Sequence, residues 1–176
     1  MENINPQTPI APQFRIDEQI MKANLEKYKM QQNLGLGIIG GVIGGVIGTA
    51  AWAAITYFSQ LHIGWIAIIV GFMVGFGVRT LGKGIDKKFG IVGGVIALGS
   101  IVLGNFLAAL GFLAKALDVS FLDVVFGFNY AMTFKLMWDT SALMDLVFYG
   151  LAIFAGYQYS FRKITNEQLF KGAVTR

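Results

Sequence analysis

The sequence predicts an all-α membrane protein with four transmembrane helices and both ends in the cytoplasm. Three observations lead there. The 176-residue chain is 55% hydrophobic before its 23 glycines are counted and only 14% charged, whereas an ordinary soluble domain is about 25% charged. Four long stretches are almost free of charge, and a helix crosses the hydrocarbon in roughly 20 mostly apolar residues. Basic residues gather in alternate connections, which is the asymmetry that orients membrane helices.

Residues 1–33 read as a cytoplasmic tail in two parts. "MENINPQTPIAPQ" is rich in proline, asparagine and glutamine and is expected to be disordered. "FRIDEQIMKANLEKYKMQQN" has helical composition, with Phe14, Met21, Leu25 and Tyr28 near one face and Ile16 and Ile20 beside it. Such a basic amphipathic helix either lies on an anionic membrane surface or stays solvated ahead of the first span. These residues lack the apolar run of a cleavable signal peptide, so insertion is expected to use the later segments.

The spans follow at about residues 34–58, 61–78, 91–113 and 143–161. The first and third contain no charge, the second has only His62 at its edge, and the fourth has Asp145 near its start. The tail contributes Arg15, Lys22, Lys27 and Lys29, and the connection between spans two and three contributes Arg79, Lys83, Lys87 and Lys88. Residues 162–176, the C-terminal tail, add Arg162, Lys163, Lys171 and Arg176. Twelve basic residues thus fall on one side and two, Lys115 and Lys135, on the other. The expected location is the inner (plasma) membrane, multi-pass, with both termini cytoplasmic. The outer link of residues 114–142 is too apolar for an ordinary loop, with Phe121, Phe126, Phe128, Tyr130, Phe134 and Trp138 along it. Aromatic residues favour membrane boundaries, so interfacial helices are expected there, with a re-entrant hairpin as the alternative.

The run "GLGIIGGVIGGVIGTA" opens with G-x-G-x-x-G at Gly35, Gly37 and Gly40. A dinucleotide fold needs a strand before that motif and an acidic residue about 20 positions later. Polar "KYKMQQN" precedes it and "ITYFSQ" stands where the acid belongs, so the match is coincidental. "GVRTLGKG", Gly77 to Gly84, imitates a phosphate-binding loop but has Gly84 where a metal-binding hydroxyl is required. Helix packing explains the glycines better. Gly37, Gly41 and Gly45 repeat every four residues, as do Gly40, Gly44 and Gly48, and residues four apart share a helix face. Small residues on one face let two helices approach closely in lipid, as a glycine zipper does.

The pattern recurs with Ala67, Gly71 and Gly75 in span two, and with Gly90, Gly94, Ser100, Gly104 and Ala108 in span three. Span four has only Gly150 and Gly156, so it is expected at the periphery of a bundle of the first three.

Cysteine is absent and His62 is the lone histidine, which excludes disulfides, thiol nucleophiles and Cys/His metal centres. Four polar residues remain as candidates: Asn105, Asp145, His62 and Arg79. Asn105, near the middle of span three, reads as an interhelical clamp or a substrate contact. Asp145 stabilises a helix start, or meets His62 as a proton or cation contact. Arg79 snorkels toward headgroups. No nucleophile, base and orienter assemble, so no catalytic residue, metal or cofactor is expected.

From Leu34 onward the chain resembles an uncharacterised family of small bacterial four-span, glycine-rich integral membrane proteins. The glycine-rich first span carries the resemblance, with "GWIAIIVGFMVGFGVRTLGKGIDKKFG", "LGNFLA" and "MDLVFYGLAIFAGYQYSFR". Some of that family bear a zinc ribbon before the spans; this cysteine-free chain does not. The resemblance implies the four-span fold and transfers no activity or functional residue. The expectation is a non-enzymatic structural or interaction component; the alternative is an oligomeric channel or transporter subunit. Expected partners are membrane lipids and a homo-oligomer or partner membrane protein, with no nucleic acid.

Overall fold

A computed structural model describes residues 15–59, 64–127, 143–172 and 174–175. Seven helices form among them: α1 (Glu18–Met30), α2 (Leu34–Ser59), α3 (Ile66–Gly82), α4 (Lys87–Ala116), α5 (Phe121–Gly127), α6 (Leu143–Tyr159) and α7 (Asn166–Leu169). Two short strands, β1 (Arg15–Ile16) and β2 (Val174–Thr175), pair antiparallel. The chain divides into two units, Met1–Gln31 with Lys163–Arg176, and Gln32–Arg162.

In the first unit the two tails, separate in sequence, fold on one another. The Asp17 carboxylate caps α1 by accepting from the Gln19 and Ile20 amides, which satisfies helix donors otherwise left open. Ile20, Met21, Leu25 and Tyr28 lie half-buried along the apolar stripe. The Asn24 side-chain amide donates to the Leu169 and Lys171 carbonyls, at 3.0 and 3.1 Å.

The second unit is a four-helix bundle of α2, α3, α4 and α6. Its directions follow from the facing residues. Gly40, Gly44 and Gly48 on α2 meet Gly77, Met73 and Val70 on α3, so the two run antiparallel. Gly41 faces Ile96 on α4, Gly45 faces Ser100 and Trp52 faces Gly104, so α2 and α4 run parallel. On α6, Ala152 meets Gly71 and Gly156 meets Gly75, which makes α3 and α6 parallel. The result is an up-down-up-down arrangement. The α3 and α4 helices pack together at the centre, and each also packs against both α2 and α6.

Helices α2 and α4, of 26 and 30 residues, are long and apolar enough to cross a membrane, while α3 is apolar but has 17 residues. Charged residues at its ends, Lys87, Lys88 and Lys115, extend α4 beyond the uncharged run 91–113. Hydropathy marks the part of a helix that suits lipid, whereas backbone hydrogen bonding continues through charged ends. The α3 helix starts after a turn at Gly64–Trp65 and ends on Lys83, whose backbone is left-handed at φ 50.

The α6 helix, expected from sequence as a peripheral fourth span, is not peripheral. A methyl placed on Gly71 would lie 2.9 Å from the Ala152 carbonyl carbon, and one on Gly156 would lie 2.8 Å from the Gly93 carbonyl oxygen. Ala152, Ala155 and Ser160 are buried with Gly156, and they supply the smoothness that a count of glycines alone overlooks. Of the link at residues 114–142, α5 packs on the end of α4 with Val124 buried beside Leu110 and Ala114. Residues 128–142 lie outside the described residues, as does the proposed disorder of residues 1–13.

Candidate functional site

Three local arrangements position the residues singled out by sequence. The first is the contact between α2 and α3. A methyl on Gly77 would lie 2.7 Å from the Gly40 carbonyl carbon, and one on Gly44 would lie 2.9 Å from that of Met73. The two backbones therefore touch, which only glycine permits at Gly40, Gly44 and Gly77. The second ridge differs in its neighbours: Gly41 faces the side-chain tips of Val78 and Ile96, and Gly45 faces Ser100 and Val74. Gly37 faces the Phe89 ring, Gly94 lies beside Ile153, and Gly104 abuts the Trp52 ring. The phosphate-loop lookalike has a packing cause as well. Gly77 admits α2, and Gly82 and Gly84 admit the buried ring of Phe89.

The second arrangement is a polar cluster in the bundle interior. Asn105 is 4% exposed, and its Nδ2 donates to the Tyr149 hydroxyl oxygen at 2.6 Å, joining α4 to α6. Asp145 is half-buried in the first turn of α6, one turn before Tyr149. On α2, Thr49 donates to the Ser100 carbonyl at 3.0 Å. Trp52 Nε1 and Thr56 Oγ1 are buried one turn apart with no hydrogen-bond partner among the described residues. His62 lies outside the described residues, so its pairing with Asp145 does too. Among the described residues no three of His, Asp and Glu gather as metal ligands.

Asn105 and Tyr149 make a clamp that a double-mutant cycle can weigh. Asn105→Leu and Tyr149→Phe should couple by about 0.6–2 kcal/mol, the range of hydrogen bonds between membrane helices. A coupling indistinguishable from zero in detergent unfolding would remove the bond from the account.

The third arrangement is the basic end of the bundle, where the α3–α4 loop is tied at both sides. The Gln32 carboxamide oxygen accepts from the Ile85 amide at 2.7 Å and the Asp86 amide at 3.0 Å. Its nitrogen donates to the Asp86 carboxylate at 3.2 Å. Asn33 donates from its backbone to the Gly82 carbonyl, and its side chain accepts from Leu36, capping α2. The Arg162 amide donates to the Gly84 carbonyl at 2.7 Å. Arg79 at the end of α3, Lys83 in the loop, and Lys87 and Lys88 at the start of α4 surround this fastened connection, Arg79 half-buried and the three lysines exposed.

The sequence reading missed Gln32, Tyr149 and the orphan pair Trp52 and Thr56. For Gln32 no local signal exists, because its partners are more than 50 residues away. Asn33 did carry one, an N-cap residue immediately before an apolar run. No protein-family model, curated protein or solved structure matches the chain.

Proposed function

We propose that the chain is a non-enzymatic, multi-pass integral membrane protein, a structural or interaction component of the inner membrane with both termini cytoplasmic. One observation carries this reading: the bundle is apolar outside, and its helices meet largely on small residues. Ile39, Val46, Val95, Leu103, Val147 and Phe154 are all at least half exposed, and they cover all but the short α3, whose Phe72 and Phe76 add to the same surface. Soluble monomers seldom expose apolar patches beyond a few hundred Å². Lipid removes that penalty and leaves packing between small residues as the force that joins helices. At 1.5 Å per residue, the 17 residues of α3 and of α6 each reach roughly 26 Å, close to the hydrocarbon thickness.

Sidedness draws support from charge. Arg79, Lys83, Lys87, Lys88 and Arg162 share the end of the bundle where the α3–α4 loop meets the end of α6. Lys115, in the last turn of α4, stands with Asp118 and Asp123 at the opposite end of that helix. The resemblance to glycine-rich four-span bacterial proteins agrees with this reading. The channel alternative relies on glycine ridges that face outward to other copies, whereas both ridges of α2 are occupied within one chain.

The chain's lack of cysteine provides a clean labelling background. A membrane-impermeant maleimide applied to intact cells should modify Ser120→Cys and leave Lys87→Cys unmodified until the membrane is opened. Labelling of Lys87→Cys from outside, or a chain that stays in solution without detergent, would overturn the proposal.

A further inference from the structure

The close approach of α2 and α3 leaves an open groove on the bundle's outer face. Its floor is the backbone at Gly40, Gly44 and Gly77, and its walls are Ile43 and Ile47 on one side and Phe72 and Phe76 on the other. The two phenyl rings stack along the wall, 6.2 Å apart and 20° from parallel. Thr80 and Leu81 close the groove at the basic end. On α3, Phe72, Phe76 and Arg79 follow one another at four- and three-residue steps, and Lys83 follows as the residue that ends the helix, so both cations stand at the Thr80 end of the groove.

Arg79, Lys83, Lys87 and Lys88 form no ion pair among the described residues. The nearby Asp86 carboxylate is held by Gln32 instead. An apolar channel that ends in fixed positive charge is complementary to one kind of molecule, an anionic amphiphile. The groove holds about 300 Å³, room for a segment of one acyl chain.

Resting on the membrane reading above, we infer that this groove is a site for one anionic phospholipid. An acyl chain lies between Ile43, Ile47, Phe72 and Phe76, and the headgroup phosphate is held by Arg79 and Lys83. The loop fastened by Gln32 keeps the cations in place before the lipid arrives, so little ordering remains to be done on binding.

The test is native mass spectrometry of the full chain, released from detergent with phosphatidylglycerol or phosphatidylcholine of identical acyl chains. The intact protein should retain phosphatidylglycerol about thirtyfold over phosphatidylcholine, as expected for two basic residues facing a headgroup with net negative charge. Arg79→Gln with Lys83→Gln should reduce that preference to less than about twofold, whereas Lys115→Gln at the far end should leave it unchanged. Ile43→Trp, which fills the groove from an exposed position, should lower retention of both lipids. Equal retention of the two lipids by the intact chain would overturn the site, as would a preference that survives the double charge variant. So would a dimer in place of the lipid adduct that Ile43→Trp abolishes, since the occupant would then be a second copy. A chain that needs no detergent would fail the membrane reading and the site together. One that needs detergent but shows no lipid preference fails the site alone.

Discussion

Gly77→Ala should destabilise the bundle by about 3 kcal/mol, the upper part of the range for forcing extra carbon into a packed interior. Gly44→Ala should behave similarly. At both positions the new methyl meets backbone, Gly40 in one case and Met73 in the other, and backbone cannot rotate aside. The helices must move apart, which loosens every contact along their shared length. Gly41→Ala should cost less, about 1 kcal/mol, because its methyl meets only the tips of Val78 and Ile96. Gly99→Ala and Gly150→Ala serve as controls. Among the described residues no atom outside the helix's own backbone lies within 4 Å of either new methyl, so helix propensity should dominate and stability should hold or rise by up to about 1 kcal/mol. Unfolding by denaturing detergent, followed by far-UV circular dichroism, measures all five. Equal losses at Gly77 and Gly150 would mean that the α2–α3 contact is not the one described.

The second large effect is expected at Gln32. Replacing it with alanine removes the acceptor of two backbone amides and the partner of Asp86 together. At roughly 1 kcal/mol per net hydrogen bond, the loss should reach about 2–3 kcal/mol. It should be local: amide hydrogen exchange at Ile85 and Asp86 should accelerate while that of the α2–α3 core stays slow. Gln32→Glu separates the two roles. A carboxylate still accepts from both amides but opposes the Asp86 carboxylate, so Gln32→Glu alone should be destabilised. Adding Asp86→Asn should then restore protection. If the double variant is no better than the single, the fork from Gln32 does not hold the loop.

These predictions rest on pairings that the sequence does not state. Tail composition announced α1, and the uncharged runs announced α2, most of α4 and the core of α3. The four-residue glycine spacing showed that α2 has two smooth ridges. What no spacing could show was that Gly40 and Gly44 would meet backbone while Gly41 and Gly45 met side chains. Tyr149 was passed over because its value lies wholly in a partner 44 residues away. Likewise the association of the two tails depends on Asn24 reaching carbonyls about 145 residues later in the chain.

The physical reason lies in the surroundings such helices face. A helix on a soluble core marks its inward side with an apolar stripe, and α1 does so legibly. Helices α2, α3 and α4 are apolar all round, so hydropathy fixes where each runs and leaves its rotation open. Residue size decides the rotation, because contact in a uniformly apolar setting depends on how closely surfaces fit. The amino-acid order by itself determined the helical segments, their smooth ridges and the lopsided distribution of charge. Only the folded chain decided which ridge meets which helix, drew α6 into contact with both central helices, and left the α2–α3 groove open beside its cations.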